Sequence, residues 1–182
     1  RSMGSEVKRM MRQLLGQKAA PKDRFNWPNG LLAKALIDYY YAHQNSEEAR
    51  EIQDALKKYC DRFIHRNYKM YYLDDALSGL ALIELHQMTK DEKYKQDAVV
   101  QYLFQHETDD MGSLIYRPAQ KNGYIFADMI GMVCPFLCKY GVTYDSNAAI
   151  NLAVTQITNF IAYGMDEKTG LPYHGYELES GM

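Results

Sequence analysis

The residues best equipped for chemistry are few and far apart along the chain. Asp128 is the one carboxylate in NGYIFADMIGMVCPFLCKY, residues 122–140, a stretch apolar on nearly every face, as in a buried helix. An ionised carboxylate among Phe126, Met129 and Met132 is costly unless it is paired, caps a helix or does chemistry. Asp128 is therefore expected either to cap a helix running to about Tyr140 or to transfer protons as a catalytic acid, and the two roles are compatible. Asp74 and Asp75 form an adjacent pair at the start of another helical pattern, where either suits an N-cap. His174 lies in TGLPYHGYE, flanked by Pro172 and Gly175, a setting that is hard to explain as core. Trp27, followed by Pro28, Asn29 and Gly30, is either a core anchor beside a turn or a surface for stacking.

Other chemistries find little support. There is no G-x-S-x-G, no exposed cysteine beside a base, and no glycine-rich loop to cradle phosphate. Cys60, Cys134 and Cys138 cannot all pair, and the last two sit four apart on one helix read as buried; they are expected to be core thiols. No histidine lies at ligand spacing nearby, so neither a metal site nor a cofactor is expected. Unpaired thiols favour a reducing, cytoplasmic setting. A formal net charge of −2 offers no basic field for nucleic acid. No run of about 18 apolar residues exists to span a membrane. Sixteen tyrosines stand out, since tyrosine joins an apolar face to a polar tip and suits core edges and sugar-binding surfaces alike.

The elements that must position these residues are helices. With 182 residues, 47% hydrophobic and 24% charged, the chain predicts one all-α domain over 6–182, with RSMGS at 1–5 read as a cloning scar. Val7, Met10, Met11, Leu14 and Leu15 mark a first amphipathic helix, and a polar loop broken at Pro21 follows over 19–26. Leu31, Leu32, Ala35, Leu36, Tyr39 and Tyr40 define the next helix. Ser46 opens its partner, whose stripe is Ile52, Ala55, Leu56, Tyr59 and Phe63. A second pair carries Leu77, Leu80, Ala81, Leu85 and Met88, then, after a start signal over 89–92, Tyr94, Ala98 and Tyr102. The Asp128 stretch and a helix opened by Asp145 or Ser146 make the third. Short turns within pairs and long loops between them put Trp27, Asp74, Asp75, Asp128 and His174 at one end of the array. Helix N-termini there favour an anionic ligand such as a uronic acid. His43, His65, His86 and His106 near helix C-termini suit partly charged imidazoles without a chemical role. No strand pattern competes.

Four segments in order, WPNGL at 27–31, LDDA at 73–76, ADMIGM at 127–132 leading into PFL at 135–137, and TGLPYHG at 169–175, resemble glycoside hydrolase families 88 and 105. These are the unsaturated uronyl and rhamnogalacturonyl hydrolases. The resemblance implies an (α/α)6 barrel. Against the family's twelve helices about seven can be read here, so about half of the toroid is expected, as a fragment or a naturally short relative. Uncovered apolar helix faces would then favour self-association. The implied partner is an unsaturated uronic-acid-containing oligosaccharide. The implied reaction is hydration of a C4=C5 enol ether: Asp128 protonates C4 and assists water attack at C5, and the resulting hemiketal falls apart. Burial and a carboxylate neighbour would help Asp128 carry its proton. By resemblance Asp75 or Asp74 is that neighbour, His174 contacts substrate or orders the water, and Trp27 and Tyr124 offer stacking surface. The alternatives are a non-catalytic helical-repeat module binding protein or glycan, or another α/α-toroid sugar enzyme.

Overall fold

The computed structural model describes residues 2–16, 25–120 and 122–178. The expected break at Pro21 lies outside the described residues, as does Arg1. Seven helices carry the described chain: α1 (Met3–Gly16), α2 (Trp27–Ala42), α3 (Glu47–Asp61), α4 (Gly79–Thr89), α5 (Ala98–Phe104), α6 (Ala127–Thr143) and α7 (Asn147–Tyr163). Two compact units divide it, one of Arg1–Met70 with Leu77–Val99, the other of Tyr71–Ala76 with Val100–Met182.

In the first unit, α1, α2, α3 and α4 pack on one another. Asn26 is extended, and its side chain accepts a hydrogen bond from the Asn29 amide at 3.1 Å. Pro28 occupies the first turn of α2, where a missing N–H costs nothing. Gly30 lets α2 approach the turn before α4, since a Cβ there would lie 2.8 Å from the Ser78 backbone nitrogen. Ser46 caps α3 through the Ala49 amide, and the expected stripe from Ile52 to Phe63 is buried. Phe25, Tyr59, Phe63 and Tyr68 stack into the aromatic centre of this core, Phe25 lying 5.3 to 5.6 Å from the other three rings. The expected continuous helix after Thr89 is instead a single 3-10 turn, Glu92–Tyr94, a non-helical link over 95–97, and the short α5. Tyr94 is buried with its hydroxyl donating to Asp61 at 2.8 Å, and Lys95 leaves helical geometry at ψ 84°.

In the second unit, α6 and α7 form a helical hairpin turned over 144–146. Asp145 takes a left-handed φ of 55°, and Ser146 caps α7 through the Ala149 amide. The helices approach closely at Gly141, where a Cβ would fall 2.9 Å from the Ser146 carbonyl oxygen and 2.5 Å from Ile150 Cγ1. Contrary to expectation α6 is not buried all round. Met129, Val133, Cys134, Phe136, Leu137 and Gly141 face inward, while Asp128, Gly131, Pro135 and Cys138 fall on one exposed stripe at helical spacing. Cys138 is thus a surface thiol; Cys60 and Cys134 are core. The unit also contains strands that the sequence pattern did not announce. β1 (Ile125–Phe126) pairs antiparallel with β2 (Gly175–Tyr176), Ile125 opposite Tyr176 and Phe126 opposite Gly175. Ile115, Ile125 and Phe160 form a small core beneath them, with Tyr176 packed against it.

Candidate active site

Asp128 owes its position to the strand pair that precedes α6. The residue at the N-cap is Phe126, extended at φ −102° and ψ 142° and without a side-chain cap, so Asp128 lies in the first turn and is not the cap. It is also exposed, where burial was expected. The phase of α6 explains this: Met129 and Val133 turn inward, and Asp128 is carried about 100° away from Met129. The Ala127 amide donates to the His174 carbonyl at 2.9 Å, which ties the start of α6 to the segment carrying His174. Gly175 permits this, because a Cβ there would lie 2.8 Å from the Ile125 carbonyl oxygen and 2.9 Å from Phe126 Cδ1. The His174 side chain is exposed, its ring 5.1 Å from that of Phe126. Tyr124, 44% exposed, lies 5.8 Å from the same ring.

Asp74 and Asp75 lie within a 3-10 turn, Leu73–Ser78, that leads into α4. They are acids of its first turn and not caps of α4, whose N-cap is Ser78. The Asp75 amide donates to the Tyr72 carbonyl at 3.2 Å. Asp75 is fully buried and Asp74 is 9% exposed. The Tyr102 phenol senses both: burial first, then the negative charges of Asp75 and Asp74, push its ionisation up to about 12. Tyr102 therefore remains a proton donor beside the acidic pair throughout the neutral range.

A track of rings connects this turn to the start of α6. The Arg117 guanidinium carbon lies 5.1 Å from the Tyr72 ring centroid and 4.9 Å from that of Tyr116. Tyr116 meets Phe126 edge-on at 5.2 Å, and Phe126 meets His174. Sequence reasoning did not single out Tyr102, Arg117, Tyr116 or Tyr72. Trp27, half-buried at the first position of α2, belongs to the first unit.

The loop that carries Tyr116 and Arg117 is fastened from α7. Gln156 is buried; its side-chain oxygen accepts from the Leu114 amide at 2.8 Å and its amide group donates to the Gly112 carbonyl at 3.0 Å. Asn159 donates to the Met111 carbonyl and the Ser113 hydroxyl. His106 Nε2 lies 2.7 Å from the Ile115 carbonyl. Burial lowers its basicity, against the opposing pull of that carbonyl and of Glu107, so His106 is a neutral N–H donor and not the partly charged helix-end imidazole expected. Among the described residues no group of three His, Cys, Asp or Glu side chains could hold a metal ion, and no helix is long and apolar enough to cross a membrane.

The helical hairpins are those of an α/α toroid. A glycoside hydrolase of family 105 from C. acetobutylicum ATCC 824 superposes with a TM-score of 0.67 at 20% identity, covering 94% of this chain and 49% of its own. A possible member of the GH105 family from Klebsiella pneumoniae gives 0.75 at 16% identity, covering 96% and 52%. The GH76A alpha-1,6-mannanase of Salegentibacter sp. HEL1_6 gives 0.70 at 16% identity, covering 100% and 57%. The chain thus spans about half the length of these structures. The chain belongs to Glycosyl Hydrolase Family 88, whose model matches residues 1–182. Family and all-α toroid architecture are both as the motifs implied.

Proposed function

We propose that this chain carries the catalytic acid of a glycosidase that hydrates the C4=C5 enol ether of unsaturated uronyl oligosaccharides, with Asp128 in that role. The observation that carries the reading is the placement of Asp128 in a chain of this family. It is exposed in the first turn of α6, reachable by substrate, with His174 fixed against the same turn through the Ala127 amide. Asp128 would deliver its proton to C4, and the positive charge that develops at C5 would be quenched by water. The carboxylate left behind would take the water's proton, restoring the acid, and the hemiketal at C5 would open and release the next sugar. His174 would contact the substrate or order the water. Asp75 or Asp74, on the same unit, would be the carboxylate neighbour that helps Asp128 carry its proton. The exposed Tyr124 ring supplies a stacking face.

The test is to incubate the chain, and a longer form carrying the remaining half of the toroid, with disaccharides generated by a polysaccharide lyase. The readout is loss of the enol-ether ultraviolet absorbance. Loss is expected with the longer form at least, and Asp128→Asn should abolish it. Stable absorbance with both forms would refute the hydrolase reading, and loss that survives Asp128→Asn would remove Asp128 from its role.

A further inference from the structure

The segment that carries His174 is held by little backbone. β1 and β2 contribute two residues each, and a two-stranded ladder is marginal in water unless side chains pack beneath it. Tyr176 supplies that packing. It lies against the small core of Ile115, Ile125 and Phe160, its ring edge-on to Phe160 at 5.4 Å. Its hydroxyl is 3.2 Å from Ser113 Oγ. Ser113 is buried and is fixed independently of Tyr176: Asn159 Nδ2 donates to its Oγ at 2.9 Å, and its amide donates to Asp109 Oδ1 at 2.9 Å. A serine oxygen that accepts from Asn159 still has its own proton to offer the Tyr176 oxygen. A line of side-chain hydrogen bonds therefore runs from α7 through Asn159 and Ser113 to β2. His174 stands two residues before Tyr176, its carbonyl accepting from the Ala127 amide at 2.9 Å and its ring 5.1 Å from that of Phe126. On its other side Tyr173 bonds to Gly164 and Asp166, which shapes the turn between α7 and His174. Because the His174 side chain is exposed, its placement follows from its backbone more than from packing.

We propose that Tyr176, through its hydroxyl on Ser113, is the positioning residue that holds His174 against the first turn of α6. This rests on the reading of Asp128 and His174 as parts of one reacting site, and it names what keeps the two together. A reacting group displaced by about 1 Å can lose a hundredfold in rate, so a bond that touches no substrate still bears on turnover.

Amide exchange and hydrolysis are read separately. Tyr176→Phe keeps the ring on Phe160 and removes the hydroxyl. In the chain itself it should speed exchange of the Ala127 amide by about fivefold or more, while Leu137, buried in the middle of α6, keeps its protection. Ser113→Ala, which leaves Tyr176 whole, should do the same, and the double variant should exchange no faster than either single one. A melting temperature close to the parent's shows that each variant folds, and where one fails to fold the other decides alone. In whichever form hydrolyses the enol ether, Tyr176→Phe should lower kcat/KM about fivefold or more, but less than about twofold in a His174→Ala background. A merely structural bond would slow both backgrounds alike. Unchanged exchange at Ala127, or equal losses in the two backgrounds, overturns the inference. If no form hydrolyses the enol ether and exchange still responds as described, the hydrolase reading falls while the hold of Tyr176 on the His174 segment stands. If hydrolysis proceeds and Tyr176→Phe alters neither exchange nor kcat/KM, the inference falls and the hydrolase reading stands.

Discussion

Replacing Gly175 with alanine should loosen the start of α6 from the segment that carries His174. The added Cβ would sit 2.8 Å from the Ile125 carbonyl oxygen and 2.9 Å from Phe126 Cδ1, where ordinary contact begins at 3.4 Å. The first obstacle is backbone of the partner strand, so relief requires β2 to move off β1. That movement stretches the Ala127 amide bond to the His174 carbonyl, now 2.9 Å long. Overpacking of this kind costs about 1–3 kcal/mol, and losing one backbone hydrogen bond adds about 1 kcal/mol. For a chain of this size each kcal/mol lowers the melting temperature by about 2–4 °C, so a drop of roughly 5–15 °C is expected. Circular dichroism melting measures it, and hydrogen exchange should show faster loss of protection at Ala127. Gly131→Ala is the internal control. A Cβ there meets nothing within 4 Å, and alanine in a helix interior is favoured over glycine by about 0.5–1 kcal/mol, so this variant should melt slightly higher. A Gly175→Ala protein that melts within a degree of the parent, with Ala127 still protected, would refute the close-approach argument.

Asp128→Asn should leave the melting temperature nearly unchanged, because exposed substitutions usually fall within about 0.5 kcal/mol; a stability loss above 2 kcal/mol in urea would show a structural role that the geometry does not contain. Gln156→Leu strips partners from the Leu114 amide and the Gly112 carbonyl, and should cost roughly 2–4 kcal/mol, read as a shift in urea midpoint. His106 has a folded-state pKa below its ordinary 6.5 because of burial. Its contribution to stability is therefore present above about pH 6.5 and lost as pH falls through the lowered value. His106→Gln, which keeps an N–H donor but cannot titrate, should lessen the acid sensitivity of unfolding, and an unchanged pH profile would argue against the assignment.

The local patterns of the chain determined its helices and their pairing. Apolar spacing at 3.6 residues marked α1, α2, α3, α4 and α7, a nearly all-apolar run marked α6, and Ser46 and the pair Asp145 or Ser146 announced two helix starts, because periodicity and caps depend on neighbours a few residues away. The ordered motifs around Trp27, Asp74–Asp75, Asp128 and His174 identified the family for the same reason. Tertiary structure decided which face each residue presents. Asp128 and Cys138 belong to a stretch that is apolar nearly all round, and only the packing of α6 on α7 turned their stripe outward. β1 and β2 are two residues each, too short to show alternation, and exist because Gly175 admits Ile125 and Phe126 to backbone contact. Arg117 carried no periodic or motif signal, and the stripe that included Tyr102 placed it on a helix without showing its neighbours. Their surroundings come from partners distant in sequence, Tyr72 for one and the Asp74–Asp75 turn for the other, and a sequence pattern does not encode such distances. The helix expected after Thr89 gave way because burying Tyr94, with its hydroxyl on Asp61, outweighed local helix propensity, which amounts to only a few tenths of a kcal/mol per residue.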